Sequence, residues 1–264
     1  MLPIDSFLQY PTDEIICAFS TKRSRMGVSK ENYSSLNINP FCGDEPAAVA
    51  ENTTLLANAL SLPQSRIVLP RQVHTDKLAF IDNDFLSKNE DDRKNLLDGV
   101  DAVATGLCNV CVGVSTADCV PVLLYDKDHT FVAAVHAGWR GTVMRIAQTT
   151  IVKLCAMFNC RPEKVMAVIG PSISMEAFEV GDEVYETFAD NGFQMEGISR
   201  MIGGRWHIDL WESNRRQLIE AGVYDDNIHV AGICTFRNYQ NFFSARRLTI
   251  NSGRIYSGIF KKLL

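Results

Sequence analysis

Short apolar runs rich in β-branched residues alternate with longer amphipathic segments along this chain. The short runs are bounded by turn-forming residues, which is typical of β-strands. The predicted strands are 15–19, 66–69, 78–81, 102–105, 110–115, 120–125, 131–135, 165–169 and 228–233. Because each strand must pair with another, this number of short strands indicates sheets of several strands.

The longer segments have the spacing of amphipathic helices. Pro46 suits the first position of one helix, and Thr142 precedes the longest apolar stripe. A short helix is predicted at 182–189, and Asp209 with Glu212 three residues later resembles a capping box. Because hairpin-like and crossover-like spacings are mixed, we expect an α/β fold with mixed sheets rather than a doubly wound parallel sheet.

Length and charge narrow the class of protein. The 264 residues suffice for one large domain or two small ones, and neither a repeat nor a flexible linker divides them. The formal net charge is −5 without a basic block, so we expect no nucleic acid partner. The apolar runs are far shorter than the ~20 residues that span a bilayer. The N-terminus lacks the pattern of a secretion signal, so we expect a cytoplasmic protein with no membrane partner.

Cysteine and histidine counts limit the candidate sites. The eight cysteines are expected to be reduced thiols that mostly pack in the core. The five histidines exclude any site that needs a large imidazole cluster. Cys108 and Cys111 form a Cys-x-x-Cys pair, but their flanks resemble a buried strand, so we interpret them as core residues. No dinucleotide fingerprint or P-loop occurs in the sequence.

Three segments place reactive residues where predicted strands end: Leu69-Pro-Arg-Gln-Val-His-Thr75, Thr116-Ala-Asp-Cys-Val-Pro121 and Val135-His-Ala-Gly-Trp-Arg-Gly-Thr142. Strand ends that open into loops are where a rigid scaffold presents functional groups. Zinc binds thiolate sulfur and imidazole nitrogen, and catalytic zinc sites keep a fourth position open. His74, Cys119 and His136 are therefore candidate ligands of one metal ion. Their spacing is not that of a compact metal motif, and each residue alone also suits a structural role.

Arg140 lies in a Gly-Trp-Arg-Gly-Thr turn that leads into the predicted helix. Backbone N–H groups at a helix start and the forked donors of arginine both favour anions. Arg140 is therefore a candidate for binding phosphate or an oxyanion, and an ion pair or a helix cap is an equally good interpretation. Arg246, Arg247 and Arg254 add cations near the C-terminus, where surface salt bridges explain each of them as well.

Taken together, these segments resemble the signatures of the YfiH-like family, also called the laccase-domain or multicopper polyphenol oxidase family. The resemblance rests on Gln72-Val-His74, on Asp118-Cys-Val-Pro-Val-Leu123 and, most specifically, on His136-Ala-Gly-Trp-Arg-Gly-Thr142. It extends over nearly the whole chain, through Cys42-Gly-Asp44, Asp101-Ala-Val-Ala-Thr105, Ile169-Gly-Pro-Ser-Ile173 and Gly253-Arg254. Phe178 replaces a usual Tyr and Ala245 a common aromatic residue, which are minor departures.

The resemblance implies a single domain over residues 1–264, layered α/β/β/α, with mixed β-sheets. It also implies one zinc ion bound by His74, Cys119 and His136, which would be catalytic together with their neighbours. The implied activity is on purine nucleosides: phosphorolysis of adenosine, inosine or methylthioadenosine, and hydrolytic deamination of adenosine. The older family name implies copper-dependent oxidation of phenols instead.

The choice between these activities can be argued from chemistry. A laccase-like oxidase couples a His₂Cys copper to a trinuclear cluster that needs many imidazoles, and five histidines cannot supply them. Copper nevertheless binds such a donor set more tightly than zinc, so it is the second candidate metal. A zinc ion with an open position activates water near neutral pH, which suits purine chemistry better. We therefore expect a zinc-dependent purine nucleoside phosphorylase and adenosine deaminase.

Further residues are assigned roles as hypotheses. Asp118, beside the cysteine ligand, is a candidate for carrying protons during deamination. Arg140 and Arg247 are candidates for holding phosphate during phosphorolysis. Asn37 and Gln72 are candidates for binding ribose or base through directed hydrogen bonds.

A different mechanism keeps Cys119 as a nucleophile. A thiolate beside an imidazolium is reactive, so Cys, His and Asp without metal would form a hydrolase, for example one that edits cell-wall precursors.

For the purine nucleoside activity, the expected partners are a purine nucleoside and phosphate. We expect the protein to be a monomer or a small homo-oligomer.

Overall fold

The computed structural model describes residues 2–23 and 26–263, and its strands group into two large sheets and one small sheet. In chain order the strands are β1 (Phe7–Gln9), β2 (Ile16–Thr21), β3 (Ile67–Val68), β4 (Leu78–Ile81), β5 (Ala102–Thr105), β6 (Cys111–Thr116), β7 (Val120–Asp126), β8 (Val132–Ala137), β9 (Val165–Ile169), β10 (Glu179–Val180), β11 (Ser199–Ile202), β12 (Arg205–Ile208), β13 (Ile228–Val230) and β14 (Ile255–Lys261). The helices are α1 (Pro46–Leu60), α2 (Asn83–Ser87), α3 (Glu90–Leu96), α4 (Trp139–Val143), α5 (Ile146–Phe158), α6 (Asp182–Asp190), α7 (Leu210–Glu220) and α8 (Ala245–Leu248).

Both large sheets mix parallel and antiparallel pairs. The six-stranded sheet has the order β13-β9-β7-β8-β5-β4, with parallel pairs at its two ends and antiparallel pairs between them. The five-stranded sheet has the order β1-β2-β14-β6-β3, and only β3 runs parallel to its neighbour. This topology confirms the predicted α/β class with mixed sheets.

Alternate residues of the central strands face different layers. Leu123 of β7 packs with Val112 of β6 between the two large sheets. Its neighbour Leu124 packs on the opposite face with Ile151 of α5 and Leu218 of α7. On the outer face of the five-stranded sheet a third apolar cluster contains residues of α1 (Leu56, Leu60) together with Phe19 and Tyr256. The layers are therefore α/β/β/α, as the family resemblance implies.

Several predicted elements have different bounds in the structure. The helix expected after Thr142 begins at Trp139 as α4, is interrupted by Arg145 with a φ of +59°, and resumes as α5. The strand expected at 228–233 ends at Val230, because the chain turns at Gly232 with a φ of +64°. The polar segment 82–98 contains two short helices, α2 and α3.

Other elements were not predicted at all. These are β1, β14, α8 and the small sheet of order β10-β12-β11. The omission of β14 is the most consequential, because this fully buried strand pairs with both β2 and β6 at the centre of its sheet. Within the ranges 2–23 and 26–263, no helix is both long and apolar enough to cross a bilayer.

Candidate metal centre

Three strand-end segments bring the predicted ligands together. His136 lies on β8, and Cys119 immediately precedes β7. The register of these antiparallel strands pairs Pro121 with His136, so Cys119, two residues before Pro121, lies at the same end of the sheet and close to His136. His74 comes from the connection between β3 and β4, where its φ of +65° is in the left-handed region. The tertiary pairing therefore joins residues that are far apart in sequence.

The three side chains have the proximity of a metal-ligand set. One ligand atom from each of His74, Cys119 and His136 lies within 4.8 Å of the others. The Cys119 Sγ to His74 Nε2 distance is 3.8 Å, and the two imidazole centroids are 4.8 Å apart. Within the described part of the chain, this is the one such group of three His, Cys, Asp or Glu residues. Two imidazoles and a thiol are donors that suit zinc, so these residues fit that ion.

Asp101 connects two of these residues from a fully buried position just before β5. Its Oδ1 accepts a hydrogen bond from His136 Nδ1 at 2.7 Å and another from the backbone N–H of His74 at 3.0 Å. The ring bond leaves His136 Nε2 for a metal. Burial by itself raises the pKa of Asp101, but its contacts with His136 and Thr75 together lower it to about 2.

Gly138 leaves space for two of the candidate ligands. A Cβ at this position would lie 2.9 Å from His74 Cδ2 and 3.0 Å from Cys119 Sγ. Gly138 also directly precedes α4, whose first residue is Trp139. The glycine therefore allows the helix to start against the site without displacing either ligand.

The charges of the site favour a thiolate. Burial by itself raises the pKa of Cys119, but His136 and then His74 lower it to about 6. Burial likewise opposes protonation of His136, whereas Cys119 and Asp101 raise its pKa. The sulfur is consequently ready to bind a cation at neutral pH, because the thiolate is the form that ligates metals.

Residues 17–262 match the family described as multi-copper polyphenol oxidoreductase laccase. This chain belongs to that family. It is 46% identical over 261 residues to a Bacteroides thetaiotaomicron protein named purine nucleoside phosphorylase, with 98% of this chain and 95% of that protein covered. It is 40% identical over 247 residues to a protein of an unknown prokaryotic organism named adenosine deaminase RL5, with 93% and 94% covered.

Solved structures of the same family have the same fold. The crystal structure of YlmD from Geobacillus stearothermophilus superposes with a TM-score of 0.90 at 28% identity, covering 100% of this chain and 98% of that one. The Bacillus licheniformis protein YfiH superposes with a TM-score of 0.89, also at 28% identity, covering 98% and 97%. The resemblance to YfiH-like proteins predicted from the sequence motifs is thereby confirmed.

Asp118, the predicted proton carrier, is half-buried and already has two partners. Its φ is +87°, and its carboxylate accepts hydrogen bonds from the Thr235 hydroxyl and from the backbone N–H of Arg246, each at 2.7 Å. Asp118 thus attaches the segment of α8 to the strand end that carries Cys119. Sequence reasoning did not identify Thr235 and Arg246 as partners of Asp118, because neither is near it in the chain.

The two amides predicted to bind substrate are occupied within the protein. Asn37 is fully buried, and its amide bonds to Asp44 at 2.9 Å and to the backbone N–H of Arg254 at 3.1 Å. Gln72 makes paired hydrogen bonds to the backbone N–H and C=O of Ser115, at 2.8 and 2.9 Å. These contacts favour structural roles for both side chains, and substrate binding by them stays a prediction.

The predicted phosphate-binding arginines are exposed and stack on aromatic rings. The Arg140 guanidinium lies 4.2 Å from the centroid of Trp139. The Arg247 guanidinium lies 5.4 Å from Phe236 and 4.8 Å from Tyr239. Neither forms a salt bridge with another residue in 2–23 or 26–263. Their donors are therefore open to an incoming anion.

The remaining histidines and the Cys-x-x-Cys pair are occupied elsewhere. His129 pairs with Asp13, and His207 Nδ1 contacts the backbone oxygen of Met175. His229 lies against Tyr10. Cys111 is fully buried in β6, in agreement with its interpretation as a core residue, whereas Cys108 is only half-buried in the turn before that strand.

Proposed function

We propose that this protein is a zinc-dependent purine nucleoside enzyme. The proposed reactions are phosphorolysis of adenosine, inosine or methylthioadenosine, and deamination of adenosine. The proposal rests chiefly on the convergence of His74, Cys119 and His136, which are suited to hold one zinc ion per chain. The names of the relatives, purine nucleoside phosphorylase and adenosine deaminase, support the substrate class.

The metal ligands have a defined part in this proposal. Zinc, when bound, supplies an electrophile and lowers the pKa of water at its open position. The thiolate of Cys119 and the imidazoles of His74 and His136 would hold the ion. Asp101 keeps His136 in the tautomer whose Nε2 is free to ligate.

The surrounding residues are assigned to the substrate. Arg140 and Arg247 bind phosphate for phosphorolysis, since their exposed guanidinium groups have no carboxylate partner among the described residues. Asp118 carries protons during deamination while its contacts with Thr235 and Arg246 hold it beside Cys119.

Two alternative functions can be tested against this proposal in one experiment. A copper-dependent polyphenol oxidase agrees with the description of the family, and copper has a high affinity for this donor set. Against it, only two of the five histidines are at the site, which leaves a trinuclear cluster without ligands. A metal-free Cys119 hydrolase, for example one that edits cell-wall precursors, is favoured by the lowered pKa of Cys119.

The deciding experiment combines metal analysis with product identification. Purified protein of known zinc and copper content is incubated with adenosine, with and without phosphate. Adenine and ribose-1-phosphate formed only with phosphate support phosphorolysis, and inosine supports deamination. Activity on phenols that follows copper content supports the oxidase, and activity in metal-free protein supports the thiol mechanism. Absence of both purine products, with turnover of another substrate, would disprove the purine proposal.

The broader properties complete the proposal. We propose one domain over residues 1–264, a cytoplasmic location, and small-molecule substrates without a nucleic acid or membrane partner. A monomer or a small homo-oligomer is proposed for the assembly.

A further inference from the structure

We infer that Asp101 is a positioning residue for both histidines of the metal centre, and that it thereby sets the affinity of the site for zinc. This inference rests on the metal-dependent function proposed above. It assigns a role to a residue that ligates nothing itself and that the sequence motifs alone do not distinguish from a structural aspartate.

The first contact orients the ring of His136. Asp101 Oδ1 is 2.7 Å from His136 Nδ1, and both side chains are almost completely buried. A backbone hydrogen bond joins the same two residues, since the N–H of His136 donates to the carbonyl oxygen of Asp101 at 2.8 Å. The ring therefore has one tautomer and one orientation, with Nε2 directed away from the carboxylate.

The second contact shapes the backbone around His74. The carboxylate of Asp101 accepts hydrogen bonds from three consecutive N–H groups: Val73 at 3.2 Å, His74 at 3.0 Å and Thr75 at 2.7 Å. The Thr75 hydroxyl lies 2.9 Å from Oδ2 and also 2.9 Å from the carbonyl oxygen of Gly99, so these two acceptors share its one proton. His74 has a φ of +65°, which residues other than glycine adopt rarely and which needs support from their surroundings. Asp101 provides that support.

The same oxygen atom joins the two ligands. Asp101 Oδ1 accepts from the ring of His136 and from the backbone of His74, so the two residues share a single anchor. His74 lies in a loop and His136 in a strand, so the affinity of the site for a metal would fall if either side chain moved out of position. One buried carboxylate that holds both of them preorganises the site before the ion arrives.

The test measures zinc affinity rather than turnover. Asp101→Asn keeps the size of the side chain but replaces one acceptor oxygen by an N–H₂ group, which cannot accept from the loop N–H groups. We expect zinc affinity, measured by competition with a chromophoric chelator, to fall about 10- to 100-fold. Cobalt-loaded protein should also show an altered ligand-field spectrum, which a general loss of stability would not produce.

Two sets of variants control this measurement. Asp98→Asn removes an exposed carboxylate of the same segment, whose salt bridge to Arg71 is at the surface. The zinc affinity of this variant should stay within about twofold of that of the wild-type protein. Thr75→Val removes the hydroxyl that lies beside Asp101 and beside the carbonyl oxygen of Gly99, whereas Thr75→Ser keeps it. We expect Thr75→Val to bind zinc at least about threefold more weakly than Thr75→Ser.

The outcomes separate this inference from the proposed function. Original protein that binds no zinc would overturn both. Original protein that binds zinc, with Asp101→Asn binding it equally tightly, would overturn the positioning role alone. If Asp101→Asn does not fold, the threonine pair decides, and equal affinities of Thr75→Val and Thr75→Ser would contradict the inference.

Discussion

Gly138 is adjacent to the sulfur of Cys119: a Cβ on this glycine would be only 3.0 Å from Sγ. The φ of Gly138 is −64° and its ψ is 170°, so its backbone conformation is open to any residue. The reason for glycine here is thus the space that His74 and Cys119 need, and not the backbone conformation. The need for this space explains the glycine in the His-Ala-Gly-Trp-Arg-Gly run of the family.

Gly138→Ala should accordingly weaken metal binding without preventing folding. The added methyl group would push against His74 and Cys119, so we expect zinc affinity to fall about 10-fold or more. Chelator competition measures the affinity, and urea unfolding of metal-free protein measures stability. Unchanged affinity would mean that the ligands relax around the methyl group and that the glycine serves another purpose.

Cys119→Ala should remove the metal itself. Loss of the only sulfur ligand leaves two imidazoles, and we expect zinc affinity to fall by about 100-fold or more, so that purified protein lacks stoichiometric zinc. Elemental analysis checks the metal, and nucleoside turnover should fall in parallel. Cys17→Ala, at a half-buried cysteine of β2, is the matched control. Full zinc content in Cys119→Ala would contradict the proposed ligand set.

Arg140→Ala should affect phosphorolysis more than deamination. Only phosphorolysis uses phosphate, so loss of an exposed guanidinium that binds it should raise the KM for phosphate about 10-fold. The KM for adenosine in deamination should change little. Arg161→Ala removes an exposed arginine beyond the other end of α5 and serves as control. An unchanged phosphate KM would show that Arg140 does not bind phosphate.

Buried ionisable side chains should make the stability of the protein decrease at alkaline pH. Burial raises the pKa of Cys111 from 9.0 to about 12, and its neighbour Tyr256, 3.6 Å from the sulfur, is also shifted upward. A raised pKa contributes stability that is complete below about pH 9 and is lost as pH rises toward 12. We expect the free energy of unfolding to fall between pH 9 and 11, with Cys111 contributing up to about 1.4 kcal/mol per pH unit.

Cys111→Ala tests the contribution of that thiol. The variant should be less stable at pH 7 because it leaves a cavity, but its stability should fall less steeply with pH. Urea unfolding from pH 7 to 10.5 gives both quantities. Parallel curves for the two proteins would show that other groups cause the alkaline loss.

Sequence patterns alone determined much of the secondary structure, because periodicity is a local property. The strands β4, β5 and β9 have the predicted bounds, and Asp209 caps α7 by accepting from the N–H of Glu212 as its spacing predicts. The motif resemblance likewise implied the layered fold, and it named the three candidate ligands that the structure brings close together.

Only the tertiary structure decided how these parts act together. β14 has a central place because it pairs with strands more than a hundred residues away, and no local pattern encodes its partners. Asn37 and Gln72 look like substrate contacts in the sequence, yet buried protein groups occupy their amides. Asp101 reaches His74 and His136 from a third segment. Hydrogen bonding depends on distance in space, so these relationships arise only when the sheets have formed.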